Sequence, residues 1–199
     1  GDNQHFQIYL FIGLIIFNFF SQSTSFSISS LSGNASLIKS MNIEKEVFVI
    51  SRVFESIFSH LFELILLIIF MIYFNVSLIG LLFYPLIFFD LLIFILGLSF
   101  ILSIFGVLIS DLWNIWSVLT KLLLFLTPIF YYVDKSSSIY LINLLNPLYY
   151  FISITRDLLI YNKTPEIPMI GLMILFSLSI FIIGILIFNF NKNTISERL

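Results

Sequence analysis

Long apolar runs separated by shorter polar intervals organise the chain. A helix needs about 20 apolar residues to cross the hydrocarbon core of a bilayer. Five runs reach or approach that length, and the first of them is the shortest. The pattern predicts one transmembrane domain over 1–199, with an all-α fold: a polytopic membrane helical bundle of about five transmembrane helices. The predicted spans are 8–20, 47–74, 81–109, 115–132 and 169–188.

Residues 134–168 differ from these runs because they hold two short apolar pieces, split at Asn146-Pro147. Neither piece reaches the length of a span. Broken backbone at membrane depth needs protein or a water-filled cavity beside it, since its N–H and C=O groups must find partners. We therefore expect an external re-entrant helical hairpin before the last span, at the mouth of a pore.

Composition agrees with a protein whose main solvent is lipid. Hydrophobic residues make up 60% of the chain and charged residues 10%, whereas soluble domains hold about 45–50% and about 25%. The net charge of −2 gives no basic surface for nucleic acid. The chain lacks cysteine, and its two histidines fit no metal-binding spacing. We expect no metal site and no nucleic-acid partner.

The sequence also lacks the motifs of common catalytic sites. It contains no G-x-x-x-x-G-K-[ST] phosphate loop, no G-x-S-x-G and no H-E-x-x-H. Its acidic residues are scattered along the elements and form no obvious acid–base pair. The sequence thus predicts no catalytic residue, and it favours a conduit or scaffold over an enzyme.

Ionisable side chains inside the predicted spans are candidates for structural or pathway roles. Arg52, Glu55, Ser59 and Glu63 fall on one side of a helix, and such groups usually face a bundle interior or a cavity. The alternative is a membrane boundary near Ser59, which would leave Arg52 and Glu55 in water. The intramembrane polar candidates are Arg52, Glu55, Glu63, Asp90 and Asp111.

Small residues mark one face of the third span. Ser99, Ser103, Gly106 and Ser110 recur at helical spacing. Small side chains let helix backbones approach closely in lipid. We expect close helix packing here, with a substrate path as the alternative.

The distribution of basic residues suggests an orientation. With the 134–168 hairpin outside, six of the nine Lys and Arg residues fall on the inner side. Basic residues are enriched on the cytoplasmic side of membrane proteins. This bias predicts a cytoplasmic loop at 21–46 and a cytoplasmic tail at 189–199.

Three stretches, taken in order, carry a family resemblance. The first is N-A-S-L-I-K at 34–39 followed by 43–46, and the second is Asp111 after a helix rich in small residues. The third is P-I-F-Y at 128–131, then Asn146-Pro147, then Arg156. In this order the chain resembles the permease subunit of type-2 ABC exporters. It is most similar to the branch that moves O-antigen, capsule or teichoic acid chains.

The resemblance implies an assembly in the cytoplasmic (cell) membrane, surrounded by membrane lipid. Two copies of the permease would form a homodimer above two ATP-binding cassette ATPase subunits, which would hold the ATP and Mg. This chain would carry no cofactor, and the cargo would be a lipid-linked glycan. The family has an interfacial helix and a further span before the position of Ile8, so we expect this chain to be N-terminally truncated.

The resemblance also implies roles for particular residues. The 21–46 loop would contain the ATPase-coupling helix, and the dimer interface would form the channel. Anchoring at the membrane surface is the alternative role for the aromatic residues. The coupling candidates are Asn34, Leu37, Ile38, Lys39, Lys45 and Glu46. The candidates for a substrate path or gate are Trp113, Trp116, Pro128, Tyr131, Tyr132, Asn146, Pro147, Tyr149, Tyr150 and Arg156.

Three other functions fit the same membrane pattern. The chain could be a type-2 ABC permease for drugs, haem or lipids, with nearly the same architecture. It could be an integral-membrane enzyme acting on polyprenyl-linked substrates, which would need charged residues clustered at one membrane face. It could also be a structural membrane subunit without cargo.

Overall fold

The computed structural model describes residues 6–40, 43–133 and 138–198. Every regular element within these ranges is helical, which confirms the all-α prediction. Two short 3₁₀ turns, Ser32–Asn34 and Ile79–Leu82, connect longer helices. The helices are α1 (Phe6–Ile28), α2 (Ala35–Ser40), α3 (Lys45–Tyr73), α4 (Tyr84–Leu108), α5 (Leu112–Leu126), α6 (Ser138–Leu144), α7 (Pro147–Leu159) and α8 (Ile167–Arg198).

Four helices in the described ranges are long and apolar enough to cross a membrane: α1, α3, α4 and residues Ile167–Lys192 of α8. The predicted span at 115–132 corresponds to α5, which has only 15 residues. Pro128 explains the early end, because a proline disfavours helical backbone in the residue before it. Thr127 is accordingly extended. The bundle therefore has four long helices and one shorter apolar helix.

The first helix is longer than the apolar run predicts. It continues past position 20 to Ile28, through a stretch rich in serine. Thr24 donates to the Phe20 carbonyl at 2.7 Å, and Ser27 donates to the Ser23 carbonyl at 2.8 Å. These bonds satisfy the hydroxyl groups within the helix, so the side chains can be buried. The predicted 21–46 loop is reduced to its second half, where α2 lies.

The small-residue face of α4 packs closely, as its spacing predicts. Ser99 and Ser103 are fully buried. A Cβ added to Gly106 would lie 2.0 Å from the carbonyl oxygen of Ile28, so α1 and α4 touch through their backbones there. Ser110 follows the end of α4 and is exposed. Close packing thus holds for the part of this face that is helical.

Between α5 and α8 the chain is broken into short helices. The structure describes residues 138–168 of the predicted 134–168 hairpin, and residues 134–137 lie outside the described ranges. Helix α6 has 7 residues and α7 has 13, too few for either to span. Most of α7 is buried, and it packs against α8 and α1. Its re-entrant, external placement in a membrane stays a prediction.

Candidate functional site

Arg156 of α7 is buried at the junction of three parts of the chain. Its side chain is only 4% exposed. Nε and Nη2 donate to the Tyr9 carbonyl of α1 at 3.2 and 3.0 Å. Nη1 donates to the Pro128 carbonyl at 2.6 Å, and Nη2 also donates to the Ile129 carbonyl at 3.2 Å. We call this set of residues, Tyr9, Pro128, Ile129 and Arg156, the arginine clamp.

Local backbone structure explains why these carbonyls are available. Pro128 follows the end of α5, so carbonyl groups there have no helical partner. The Tyr9 carbonyl lies inside α1, but a carbonyl oxygen has two lone pairs and can accept a second hydrogen bond. Gly13 lies one turn later, and a Cβ at that position would lie 2.8 Å from Arg156 Nη2. Glycine therefore leaves the space that the guanidinium occupies.

The Tyr9 side chain reinforces the clamp. The guanidinium carbon of Arg156 lies 3.4 Å from the centroid of the Tyr9 ring, which is a cation–π contact. The Tyr9 hydroxyl donates to the Tyr131 carbonyl at 2.9 Å, and the Tyr131 hydroxyl donates to the Leu126 carbonyl at 2.9 Å. Burial lowers the pKa of Arg156 to about 10, and the neighbouring Tyr9 opposes that shift. The guanidinium thus keeps its charge at neutral pH.

Asn146 and Pro147 fix the start of α7 beside the clamp. The Asn146 side chain accepts from Leu148 N at 3.1 Å, which makes it the N-cap, and it donates to Thr127 Oγ1 at 2.8 Å. Pro147 occupies the first turn, where its missing N–H costs nothing. The Asn-Pro pair therefore joins the beginning of α7 to the end of α5.

A pocket of about 160 Å³ lies next to the clamp. The Tyr132 ring forms part of its wall, 4.4 Å from the Tyr9 ring between centroids. Its lining combines aromatic rings with hydroxyl, carboxylate and guanidinium groups, which suits a polar ligand with flat apolar faces. The lining residues are Tyr9, Pro128, Tyr132, Val133, Tyr149, Ser153, Arg156, Asp157 and Tyr161.

The structure separates the remaining aromatic candidates from this pocket. Trp116 donates from Nε1 to Thr24 Oγ1 at 3.0 Å, so it packs on α1 near the opposite end of α5. Trp113 is exposed at that same end. Tyr150 is buried, and its hydroxyl donates to the Leu144 carbonyl at 2.7 Å. The predicted path residues thus form a cluster around the clamp, a separate tryptophan pair and a buried tyrosine.

A comparison with protein-family models matches residues 1–160 to the ABC-2 type transporter family. The chain belongs to the ABC-2 type transporter family. No curated protein matches it. Membership makes this an integral membrane protein and a transport permease, with an ATP-binding cassette subunit as its general partner.

The coupling candidates of this ABC-2 permease fall into two groups. Lys39 and Leu37 are exposed on α2, with Ile38 half-buried. Asn34 bonds locally, from Nδ2 to the Ser30 carbonyl at 2.7 Å. In the second group, Lys45 and Glu46 contact the end of α8: Lys45 donates to the Lys192 carbonyl, and Lys192 Nζ lies 3.2 Å from Glu46 Oε1. Leu37 and Lys39 are therefore exposed, whereas Lys45 and Glu46 are half-buried beside α8.

The intramembrane polar candidates each have a partner within the permease. Arg52 and Glu55 form an ion pair at 2.8 Å. The remaining bonds are Ser177 to Asp90 at 2.8 Å, Asn114 to Asp111, and Asn18 to Glu63 at 3.1 Å. Among the described residues no group of three or more His, Cys, Asp or Glu side chains could hold a metal ion.

Sequence reasoning missed Tyr9, Gly13 and Thr127, which complete the site. Tyr9 and Gly13 lie inside an apolar run, where nothing distinguishes them from lipid-facing residues. The signal that could have found them is Arg156 itself, because a buried guanidinium needs several acceptors. A tyrosine and a glycine spaced one helical turn apart supply a ring, a carbonyl and room for the side chain.

Proposed function

We propose that this permease is the membrane subunit of an ABC exporter for a lipid-linked polysaccharide or a similar cell-surface glycan. It moves this cargo across the cytoplasmic membrane as a homodimer, using ATP hydrolysed by two separate subunits. The pocket beside the arginine clamp carries the proposal. Its tyrosine rings can stack on sugar faces, while Ser153 and Asp157 can bond to sugar hydroxyls.

The contacts of the described residues offer a route for coupling, which begins where Ile38 of α2 packs against a cluster that includes Val49 of α3 and Phe188 of α8. The exposed surface of α2 is the docking site for the ATPase. Lys45 and Glu46 at the start of α3 hold the end of α8, α8 packs against α7, and α7 carries Arg156. A structural change at α2 can alter the arginine clamp only if these helices can adopt two distinct packing arrangements. ATP binding must then favour one of the two.

Charge reversal tests the docking site. Lys39→Glu replaces a positive charge with a negative one on an exposed part of α2. This variant is expected to abolish co-purification of the ATPase subunit. Lys163→Glu is the matched control, because Lys163 is also exposed but lies after α7, on the predicted outer side. Normal ATPase recovery with Lys39→Glu would contradict the assignment of α2.

Cargo selectivity is tested in proteoliposomes that contain the permease and its ATPase. A polyprenyl-linked oligosaccharide is expected to stimulate ATP hydrolysis. Tyr132→Ala and Tyr149→Ala are expected to reduce that stimulation while ATPase binding is unchanged. Stimulation by a hydrophobic drug, haem or a phospholipid, with none by the glycan, would favour the other ABC-2 cargo classes.

A further inference from the structure

Polar side chains line the surface groove where α1 and α3 meet. Asn18 Nδ2 donates to Glu63 Oε1 at 3.1 Å, and Gln22 Nε2 donates to Ser59 Oγ at 3.4 Å. Glu55 continues the line one turn nearer the start of α3. We call these five residues, Asn18, Gln22, Glu55, Ser59 and Glu63, the polar seam.

Distances along α1 and α3 favour a depth near the middle of the bilayer for Asn18 and Glu63. Glu63 lies ten residues before Tyr73, where α3 ends, and this distance is about 15 Å along an α-helix. Asn18 lies twelve residues after Phe6, or about 18 Å. Both values are near the middle of a hydrocarbon core of about 30 Å. A membrane boundary at Ser59 would leave only about 21 Å of α3 up to Tyr73, too little to cross.

Within the chain, the polar seam packs against buried residues on one side and is exposed on the other. On the buried side, His60 Nδ1 lies 3.5 Å from Glu63 Oε2, and His60 Nε2 shares a 2.7 Å hydrogen bond with the Tyr84 hydroxyl. On the other side the Glu63 side chain is 26% exposed. Asn18 and Glu55 are exposed as well. The bundle therefore holds a carboxylate at mid-depth and presents it outward.

Acyl chains are unfavourable neighbours for the polar seam. An acidic residue at the centre of a spanning helix costs about 2.5–3.5 kcal/mol on insertion scales. Phe58 and Phe62 of the same helix are each 69% exposed and form the adjacent apolar face, where acyl chains fit. The helix thus carries a lipid-facing strip and a polar strip side by side, and the polar strip requires a different neighbour.

We infer that the polar seam faces water in the assembled transporter and forms one wall of a hydrated path for a hydroxyl-bearing cargo. The inference rests on the proposed function, because it supplies a surface for the hydrophilic part of that cargo. Amide, hydroxyl and carboxylate groups in one line can exchange hydrogen bonds with water or with sugar hydroxyls.

Single cysteines test the inference directly, because the chain has no native cysteine. The seam variants are Gln22→Cys and Ser59→Cys, and the controls are Phe58→Cys and Phe62→Cys at similar depth. The permease–ATPase complex in membranes is treated with a small cationic methanethiosulfonate that does not cross lipid. Seam thiols are expected to react at least about tenfold faster than the controls, since a thiol in apolar surroundings stays protonated and inert.

Each possible labelling result either supports or overturns the inference. Equal rates at seam and control positions, whether fast or slow, would overturn the inference, provided that a cysteine at the exposed Lys163 position reacts. Ser59→Cys is nearly isosteric, so it keeps the fold and decides the test if Gln22→Cys misfolds. Co-purification of the ATPase is measured on the same samples. If the seam thiols are unreactive while the ATPase is bound, only the inference of a water-facing polar seam is rejected. If the wild-type chain binds no ATPase, the proposed function is rejected.

Discussion

Gly184 of α8 and Gly97 of α4 meet backbone to backbone: a Cβ placed on Gly184 would lie 2.2 Å from the carbonyl oxygen of Gly97. In a bilayer, helices associate largely through such close van der Waals packing, because lipid offers little hydrophobic drive between them. The contact fastens the last helix to the helix at the centre of the bundle. A side chain at either position has to push the two helices apart.

Gly184→Leu is therefore expected to destabilise the permease. Overpacking of a tight contact costs about 1–3 kcal/mol, and here the obstacle is backbone that cannot rotate away. Gly171→Leu on the same helix is the control, because a Cβ at Gly171 meets nothing within 4 Å. Thermal unfolding in detergent compares the two variants, and equal melting temperatures would show that α4 and α8 can separate without penalty.

Arg156→Gln should destabilise the fold strongly. Each hydrogen bond from a charged group contributes about 1.5–3 kcal/mol, and the substitution removes the guanidinium from three backbone carbonyls. Arg156→Lys keeps the charge but loses the planar fork, so an intermediate loss is expected. Lys163→Gln, at an exposed position, should change stability by no more than about 0.5 kcal/mol. Wild-type stability of Arg156→Lys would mean that charge alone, not guanidinium geometry, holds the junction.

Gly13→Ala should weaken the clamp from the opposite side. The added methyl would lie 2.8 Å from Arg156 Nη2 and 3.1 Å from Ile129 Cγ2, so the guanidinium must leave its position. The loss should shrink in an Arg156→Gln background, where the crowding group is gone. A double-mutant cycle on unfolding free energies measures this coupling, expected at about 0.5–3 kcal/mol for residues in contact. Strict additivity would argue against a direct contact.

Asn146→Ala should loosen the first turn of α7. Loss of an N-cap costs about 0.5–2 kcal/mol, and the substitution also removes the bond to Thr127 Oγ1. Thr127→Val removes only the latter bond and is expected to cost less. Hydrogen exchange at the Leu148 amide reports the cap directly, since that amide donates to Asn146 Oδ1. Unchanged protection in Asn146→Ala would refute the capping role.

The sequence predicts the long helices because length and hydropathy decide them, but several helix ends depend on local bonding. Hydropathy extends the apolar run over 115–132, although Pro128 ends α5 at Leu126. The serines after position 20 look like a loop, yet Thr24 and Ser27 bond back to their own helix and behave as buried groups. A count of polar residues cannot reveal that.

The candidate site is also only partly predictable from the sequence. The family resemblance selects Pro128, Tyr131, Asn146 and Arg156, which the structure places around one junction. Their role in a substrate path or gate stays a prediction. Their main partners could not be predicted, because Arg156 binds backbone carbonyls, which every residue possesses. The resemblance also selects Trp113 and Trp116, but Trp116 bonds to Thr24 of α1 near the other end of α5.

The arginine clamp has a consequence for biogenesis. Arg156 comes 147 residues after Tyr9 in the chain, so the ribosome releases α1 into the membrane long before its guanidinium partner exists. Until α7 emerges, α1 can pack against α3 and α4, but the Tyr9 carbonyl and ring lack the guanidinium. Insertion of the short helix α7 late in translation then completes the contacts of α1 at Tyr9.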